Sequence, residues 1–314
     1  PVHLRAASGA ARPERATGRE EHMDRIERTR ALIARGELYQ ANVAYRSTAQ
    51  TVRPALDVYA SLRDVNAAPY MAYVPFRFLD GRRGTLLSAS PELLLEVGGA
   101  PEGGLRARTR PIKGTVARGA DAVEDAAQRE LLLSSEKDLA ELAMIVDLER
   151  NDLGRIARPG GVRVRGFPTL ETYATVHHLV ADVESDLAEG ATALDALASL
   201  FPGGSITGAP KLRSMEAIAD LEGEGRGFFT GSAGFLDARG HAVFNILIRT
   251  LVHRAPKPDA PRPSAAATTA PEDAEVSFHV GGGITYASDA ALEDEETLHK
   301  AAGLLRALDG PPAR

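Results

Sequence analysis

The sequence predicts a single α+β domain, and three observations lead to that class. At 314 residues the chain is long enough to bury one large core. Stretches with helical and with alternating periodicity follow one another irregularly, without an internal repeat. A Pro/Ala/Thr-rich patch at 253–275 sits between the strand-like runs "AVFNILIRTLV" and "VSFHV". Too little chain follows it to build a second domain, so it is expected to be a disordered hairpin insert.

Taken in order, residues 1–21 are Ala/Arg/Gly-rich without periodicity and are expected to be a disordered or truncated leader to a domain at 22–314. A helix is expected from about His22, with Ile26, Leu32 and Ile33 as its apolar positions and Gly36 as its stop. "ELYQANVAYR" and "YMAYVPFRFL" alternate as strands do, and "TLLSAS" and "ELLLEV" on either side of Pro91 make a further strand or hairpin. The segment "RTRPIKGTVARG", 108–119, holds four cations, with Lys113 set between a proline turn and Gly114. By itself it reads as a solvated basic loop.

In "KDLAELAMIVDLERNDLG", 137–154, only Glu141 and Asp147 are polar between Leu139 and Leu148. A helix apolar on nearly every side is buried. A buried carboxylate must be paired, hydrogen-bonded or bound to a metal, and Asp138 shares the face of Glu141. An ion pair with an arginine and a cation site both satisfy these conditions. "VHHLV" is a strand that turns His177 and His178 to opposite sides, the inward one with a hydrogen-bonding role. "FPGGSITGAPKLRSMEAI", 201–218, is a glycine-rich turn opening a helix, with Pro210 in the first turn and free N–H groups offered to an anion. Ala-Pro follows Gly208 where a Walker A loop requires Lys and Ser/Thr. "VGGGI", 280–284, follows a strand and can bring bare backbone N–H groups up to a carboxylate. With Arg249 at the end of a strand, these glycines point to a small anionic ligand and not a nucleotide. In "ALEDEETLHKAAGLLRAL" the residues Leu298, Ala302 and Leu305 mark an apolar face, with Glu293, Glu296 and Lys300 opposite. Two helices with acidic residues three apart can supply oxygen ligands to a hard cation such as Mg²⁺, although a charged helix face is commonly just solvated.

Composition excludes several classes. A net charge of −6 argues against non-specific nucleic-acid binding. No apolar run approaches membrane-spanning length and no signal peptide opens the chain, so a soluble, cytoplasmic protein without a membrane partner is expected. The absence of cysteine rules out disulfides, thiolate metal sites and a cysteine nucleophile.

These segments, in this order, resemble the chorismate-utilising enzymes: anthranilate synthase large subunit, aminodeoxychorismate synthase component I, isochorismate synthase and salicylate synthase. The matching text is "GELYQANVAYR", "SASPELLLEV", "TRPIKGT", "KDLAELAMIVDLERNDLGRI", "FPGGSITGAPK", "GSAGFL", "NILIRT" and "GGGITYASDAALEDEETLHKA", covering roughly 22–308 apart from the insert. The resemblance implies one chorismate-binding α+β domain with two large packed β-sheets and outer helices. It implies that Glu141 and Glu296 hold a Mg²⁺ that grips a chorismate carboxylate, with Asp138 and Glu293 behind them. Arg249 with Gly281, Gly282 and Gly283 would cradle the other carboxylate, and Thr207 and Lys300 match further ligand contacts. Glu92 matches the general acid for the departing C4 hydroxyl, and His178 matches the histidine beside it.

Two positions choose among the branches. Water-using members carry a lysine base where this chain has Gln40, and an amide cannot deprotonate water. Anthranilate synthases typically read "PIAGT" where this chain, like aminodeoxychorismate synthases, reads "PIKGT". In that branch the lysine attacks C2, and ammonia then enters at C4, para to the carboxylate. The resemblance therefore implies aminodeoxychorismate synthase component I, on a path to para-aminobenzoate, with ammonia supplied by a partner glutaminase because this chain has no cysteine. The neighbouring cations would help keep Lys113 neutral. The alternatives are anthranilate synthase component I and an inactive glutaminase scaffold. Three departures stand out: Phe235 replaces a tyrosine whose hydroxyl would reach substrate, Ala290 replaces a proline, and Leu142 replaces a frequent asparagine.

Overall fold

Two antiparallel sheets carry the fold, and the chain passes from one to the other at points that shape the site. The computed structural model describes residues 13–256 and 274–310. Its elements run β1 (Glu14–Arg15), α1 (Arg19–Ala34), β2 (Gln40–Thr51), α2 (Ala55–Val65), β3 (Tyr70–Arg77), β4 (Arg83–Ser90), β5 (Leu93–Gly99), β6 (Leu105–Arg110), β7 (Ile112–Ala117), α3 (Ala122–Leu133) and α4 (Glu136–Gly154). They continue with β8 (Ala157–Thr172), β9 (Val176–Leu187), α5 (Ala193–Leu200), α6 (Gly204–Thr207), β10 (Gly208–Ala209), α7 (Lys211–Glu222), β11 (Gly234–Leu236), β12 (Ala242–Asn245), β13 (Thr250–Arg254), β14 (Ala274–Ile284) and α8 (Ala290–Asp309). The first sheet has the order β1-β2-β14-β13-β4-β3, with β10 also on β2. The second runs β11-β12-β5-β6-β9-β7, with β8 along the far side of β9. The single α+β domain with two sheets and packed helices is what the sequence leads one to expect.

Alternation along the strands decides which faces the helices cover. Leu95, Val97, Ala107, Leu179, Ala181 and Val183 from the second sheet pack with Leu142, Val146 and Leu153 of α4 and Ala196 and Leu200 of α5. Tyr45, Leu87, Leu251, Val276 and Phe278 from the first sheet pack with Val58 and Leu62 of α2 and Ala301, Leu304 and Leu308 of α8. Ile26 of α1 and Ile218 of α7 close the end of the first sheet around Val43 and Ile284. Among the described residues no helix is long and apolar enough to cross a membrane.

Two of the crossings between sheets fall within short segments, "TLLSASPELLLEV" and "AVFNILIRTLV". "TLLSAS" is β4 of the first sheet and "ELLLEV" is β5 of the second, so they are not one hairpin. "AVFNILIRTLV" likewise splits into β12 of the second sheet and β13 of the first. The two crossings lie side by side: the Ile246 N–H donates to the Glu92 carbonyl at 3.1 Å and the Ala89 N–H to the Arg249 carbonyl at 3.0 Å. The Ser90 hydroxyl ties them again, donating to the Ile246 carbonyl at 2.6 Å. Arg249, at a φ of 49°, therefore immediately precedes β13 and does not end a strand.

Other expectations shift. The last part of the expected leader is structured: β1 pairs with β2, and α1 starts at Arg19, ahead of His22. Its anchor is polar, which is why no apolar period announced it. Asp294 of α8 is 2% exposed, and a carboxylate so buried needs partners. Arg15 donates to it at 2.7 Å and His22 Nδ1 lies 2.8 Å away. Residues 1–12 lie outside the described residues. So do 257–273 of the expected insert, on either side of which β13 and β14 pair as antiparallel neighbours. The apolar face of α8 is Thr297, Ala301, Leu304 and Leu308, while Leu298 is exposed, so the face read as Leu298–Ala302–Leu305 is turned by about one residue.

Candidate active site

The basic segment is not a loop. β6 and β7 lie end to end along one side of β9, joined at Pro111, whose carbonyl accepts from the Ala181 N–H at 3.3 Å. Pairing then jumps from Ile112↔Val180 to Thr115↔His178, so β7 carries one extra residue, a bulge with Gly114 at a φ of +82°. Arg108 and Arg110 point to the outer face, where Arg108 donates to Asp182 at 2.6 Å and Arg110 lies 2.8 Å from it as an ion pair, and Arg118 pairs with Asp125. These cations do not surround Lys113, which corrects the expectation that they tune it. Lys113 faces the opposite way, into a cavity of about 820 Å³.

The crossings, β7, β14, α4 and α8 enclose this cavity, which Glu92, Lys113, Glu141, His178, Arg249 and Lys300 all line, with Asp138, Gly281, Gly283, Glu293 and Glu296. Lys113 Nζ is 3.8 Å from Glu141 Oε2. Thus the ion pair open to Glu141 is with a lysine, not an arginine. Burial pushes the Lys113 ammonium below its ordinary range; Glu141 and Glu92 oppose this, and Lys300 adds to it. Glu92 is 4% exposed, and burial pushes its carboxyl up against the pull of Lys113 and Arg249. Glu141 is raised for the same reason, with Lys113 opposing. Its Oε1 is buried and has no partner among the described residues. The Arg249 guanidinium is lowered by burial, and no carboxylate lies within ion-pair distance of it among the described residues.

His177 and His178 do face opposite sides, but both are buried, because α3 covers the outer one. His177 bonds Thr172 at 2.8 Å and Asp125 at 2.9 Å. His178 lies 2.7 Å from the Thr115 hydroxyl, and burial together with Arg249 lowers it to about 4. It is a neutral imidazole at ordinary pH.

On α8, Lys300 bridges Glu296 (2.8 Å) and the Gly281 carbonyl (2.9 Å). Glu293 accepts from Ser288 at 2.7 Å and lies 3.4 Å from Lys137. The "VGGGI" cluster is strand β14 itself, not a loop after it. A Cβ on Gly283 would stand 2.1 Å from Gln40 Nε2 and 3.0 Å from Lys113 Nζ, so glycine here admits both side chains. Gln40 is fully buried, and neither end of its amide has a partner among the described residues. A Cβ on Gly282 would stand 3.1 Å from Glu293 Oε2.

Four expected contacts, Gln40, Thr207, Phe235 and Gly282, are not among the residues that line the cavity. Thr207 is buried and donates to the Gly203 carbonyl at 2.8 Å; Ser205 and Ile206 of α6 line the cavity instead. Lys211, at the start of α7, is bound to Asp152 at 2.6 Å and the Leu200 carbonyl at 2.9 Å, away from the cavity. Phe235 is 60% exposed on edge strand β11. Leu142 is fully buried in the core, and Ala290 packs at the start of α8. His279 was not anticipated: it lines the cavity, stacks on Phe229 at 5.0 Å, and is lowered to about 4 by burial, Arg226 and Arg46. Period-two counting back from Gly283 and Gly281 would have found it.

Among the described residues no three His, Asp or Glu side chains form a metal cluster by themselves. Glu141 and Glu296 nevertheless line one cavity, and the orphaned Glu141 oxygen fits a cation whose remaining ligands are water and substrate oxygens.

Residues 2–306 match the family model for chorismate binding enzymes, and the chain belongs to that family. It is 41% identical over 291 residues to an anthranilate synthase component 1 of Haloarcula marismortui, covering 93% of this chain and 54% of that protein. It is 42% identical over 226 residues to the aminodeoxychorismate synthase component 1 of Bacillus subtilis, covering 72% and 46%. The chain thus spans about half the length of these relatives. Anthranilate synthase component I from Streptococcus pneumoniae superposes with a TM-score of 0.77 at 31% identity, over 96% of this chain and 61% of that one. The menaquinone-specific isochorismate synthase of Escherichia coli shares the fold, with a TM-score of 0.78 at 24% identity over 98% and 65%.

Proposed function

From a chorismate-binding chain with a buried lysine amine in its cavity, we propose an aminodeoxychorismate synthase component I that converts chorismate and ammonia to 4-amino-4-deoxychorismate. The position of Lys113 carries this reading: its nitrogen lies beside Glu141, and burial favours the neutral, nucleophilic amine. Lys113 attacks C2 as both ring double bonds shift and the C4 hydroxyl leaves, protonated by Glu92. Ammonia then attacks C4 and expels the lysine. Arg249, its guanidinium free of carboxylates among the described residues, takes one substrate carboxylate. Glu141 and Glu296 would hold a Mg²⁺, which when bound neutralises the other. Ammonia comes from a glutaminase subunit or domain, since the chain has no cysteine to hydrolyse glutamine.

The test is incubation with chorismate, Mg²⁺ and ammonium, followed by product identification, with glutamine alone as the inactive control. With ammonia withheld, intact-mass spectrometry is expected to show a chorismate-derived adduct that Lys113→Ala abolishes. That variant should lose C4 amination by about 10²–10⁴-fold. A Lys113→Arg variant that still makes the para product would refute the covalent role, since a guanidinium stays protonated. The second reading, anthranilate synthase component I, draws on the more numerous relatives of that name. Ortho product from the wild-type chain would establish it.

A further inference from the structure

Among the carboxyl groups near Lys113 and Glu92 that this scheme leaves without a role, Glu149 is the most deeply buried. Glu149 lies on α4, two turns beyond Glu141, and is 1% exposed. The line β6–β7 runs beside this helix, so that Thr109 meets Glu149 just as Lys113 meets Glu141. Eight helical residues span about 12 Å and four strand residues about 13 Å, so the two pairings are in step. The Thr109 hydroxyl and Glu149 Oε2 are 3.1 Å apart. Glu92 enters between these two pairings, its Oε1 3.5 Å from the Ile112 N–H. Two carboxyls therefore flank the same bend at Pro111.

Their surroundings differ. Glu92 faces the cations Lys113 and Arg249. Glu149 has no cation within ion-pair distance among the described residues, because Lys211, the nearest, is already bound to Asp152 at 2.6 Å. A carboxylate with only a hydroxyl for company is too costly to bury, so the group keeps its proton. Burial and the adjacent Glu92 carboxylate both push Glu149 well above the usual carboxylate range.

We propose that Glu149 is a positioning residue that stores, in the resting enzyme, the proton Glu92 delivers to the departing hydroxyl. This rests on the reading of Glu92 as the general acid. Glu149 O–H gives its proton, through a bridging water, to the Glu92 carboxylate. Glu92 passes it to the C4 oxygen as the C–O bond breaks and water leaves. The nucleophile, which becomes an ammonium on attack, returns its surplus proton to Glu92 and thence to Glu149. The cycle closes with no proton taken from solvent.

Glu149→Gln preserves shape and hydrogen bonding but cannot store a proton. It is expected to leave KM for chorismate within about two-fold and to lower kcat by about 10²-fold, with the basic limb of the kcat profile moved to lower pH. Thr109→Ser should behave as wild type. Infrared difference spectra at neutral pH should show a protonated-carboxyl band that Glu149→Gln removes, a readout independent of turnover and measurable on any folded sample. A Glu149→Gln enzyme with an unchanged pH profile, or a wild type without that band, overturns the inference. An active Glu92→Gln variant overturns instead the reading beneath it.

Discussion

The outer face of the second sheet and the cavity are built from similar charged residues and use them in opposite ways. On the outer face Asp182, Glu184 and Asp186 of β9 stand between Arg106, Arg108 and Arg110 of β6 and Arg158, Arg163 and Arg165 of β8. Asp186, 2% exposed, pairs with Arg106, Arg158 and Arg163 at 2.7, 2.8 and 2.6 Å. In the cavity Lys113 sits 3.8 Å from its carboxylate, and among the described residues Glu141 leaves an oxygen without a partner and Arg249 has no carboxylate at ion-pair distance. Both sets lie within reach of the same β6–β7 line, where a single proline and one bulge send alternate cations to different fates. A charge-saturated network spends its charge on the fold: each of these arginines reaches a carboxylate, although Arg110 Nε and Arg163 Nη1 lack a hydrogen-bond partner among the described residues. An unsaturated one keeps charge for a ligand, and the shortfall marks the site.

The largest effect expected from this contrast is on turnover. Glu141→Gln or Glu296→Gln should abolish activity at ordinary Mg²⁺, whereas melting of the chain should shift little. Removing charge at position 141 relieves the burial penalty that raises that carboxyl and its repulsion with Asp138 and Glu293. A stability within about 1 kcal/mol of wild type is therefore expected by chemical denaturation. Full activity in EDTA would remove the metal from the proposal, and a large loss of stability would show that the cavity charges also hold the fold together.

The outer network should respond the other way. Asp186→Asn should cost about 2 kcal/mol, short of what a fully enclosed pair would lose because the three arginines can still reach water. Its folded carboxyl is held far below the ordinary range by Arg163 and Arg106. A depressed folded value contributes stability above the unfolded pKa of about 3.9, and that contribution fades as pH falls through the folded value. The difference between wild type and Asp186→Asn should therefore stay constant from pH 7 to about 4 and shrink only in stronger acid. A difference that vanished near neutrality would mean the triple pairing contributes nothing. Turnover per folded molecule should be unchanged.

How much of this was legible varies with the kind of signal. Glu141 stood out because a carboxylate inside an apolar helix has few physical explanations, and the structure places it on the cavity wall. Glu149, more deeply buried, did not stand out, since Asp147, Arg150 and Asn151 beside it make that stretch look solvated. The crossings at Pro91–Glu92 and Ile246–Arg249 were hidden because strand-like segments lie on both sides of each, and periodicity cannot say which sheet a strand joins. The face of α8 was misread because its buried positions include Glu293, Asp294 and Thr297, which apolar counting scores as exterior. The first turn of α1 was missed for the same reason, its anchor being a buried aspartate with arginine and histidine partners.

The smallest effect tests where the cavity ends. Phe235 occupies a position at which the resemblance implied a substrate contact through a tyrosine hydroxyl. Here it lies on the outermost strand of the second sheet, two strand spacings or about 10 Å outside β5. Its ring is largely in solvent, and it is not among the residues lining the cavity. Phe235→Tyr adds a hydroxyl that can be hydrated without displacing anything packed. Stability should change by less than about 0.5 kcal/mol, as for surface substitutions generally. Steady-state kinetics should show KM and kcat for chorismate unchanged. A fall in KM beyond about three-fold would mean the added hydroxyl binds substrate. Edge strand β11 would then have to fold toward the crossings during turnover, and the boundary between unsaturated cavity and saturated exterior would be set by motion of that strand, not by the resting arrangement.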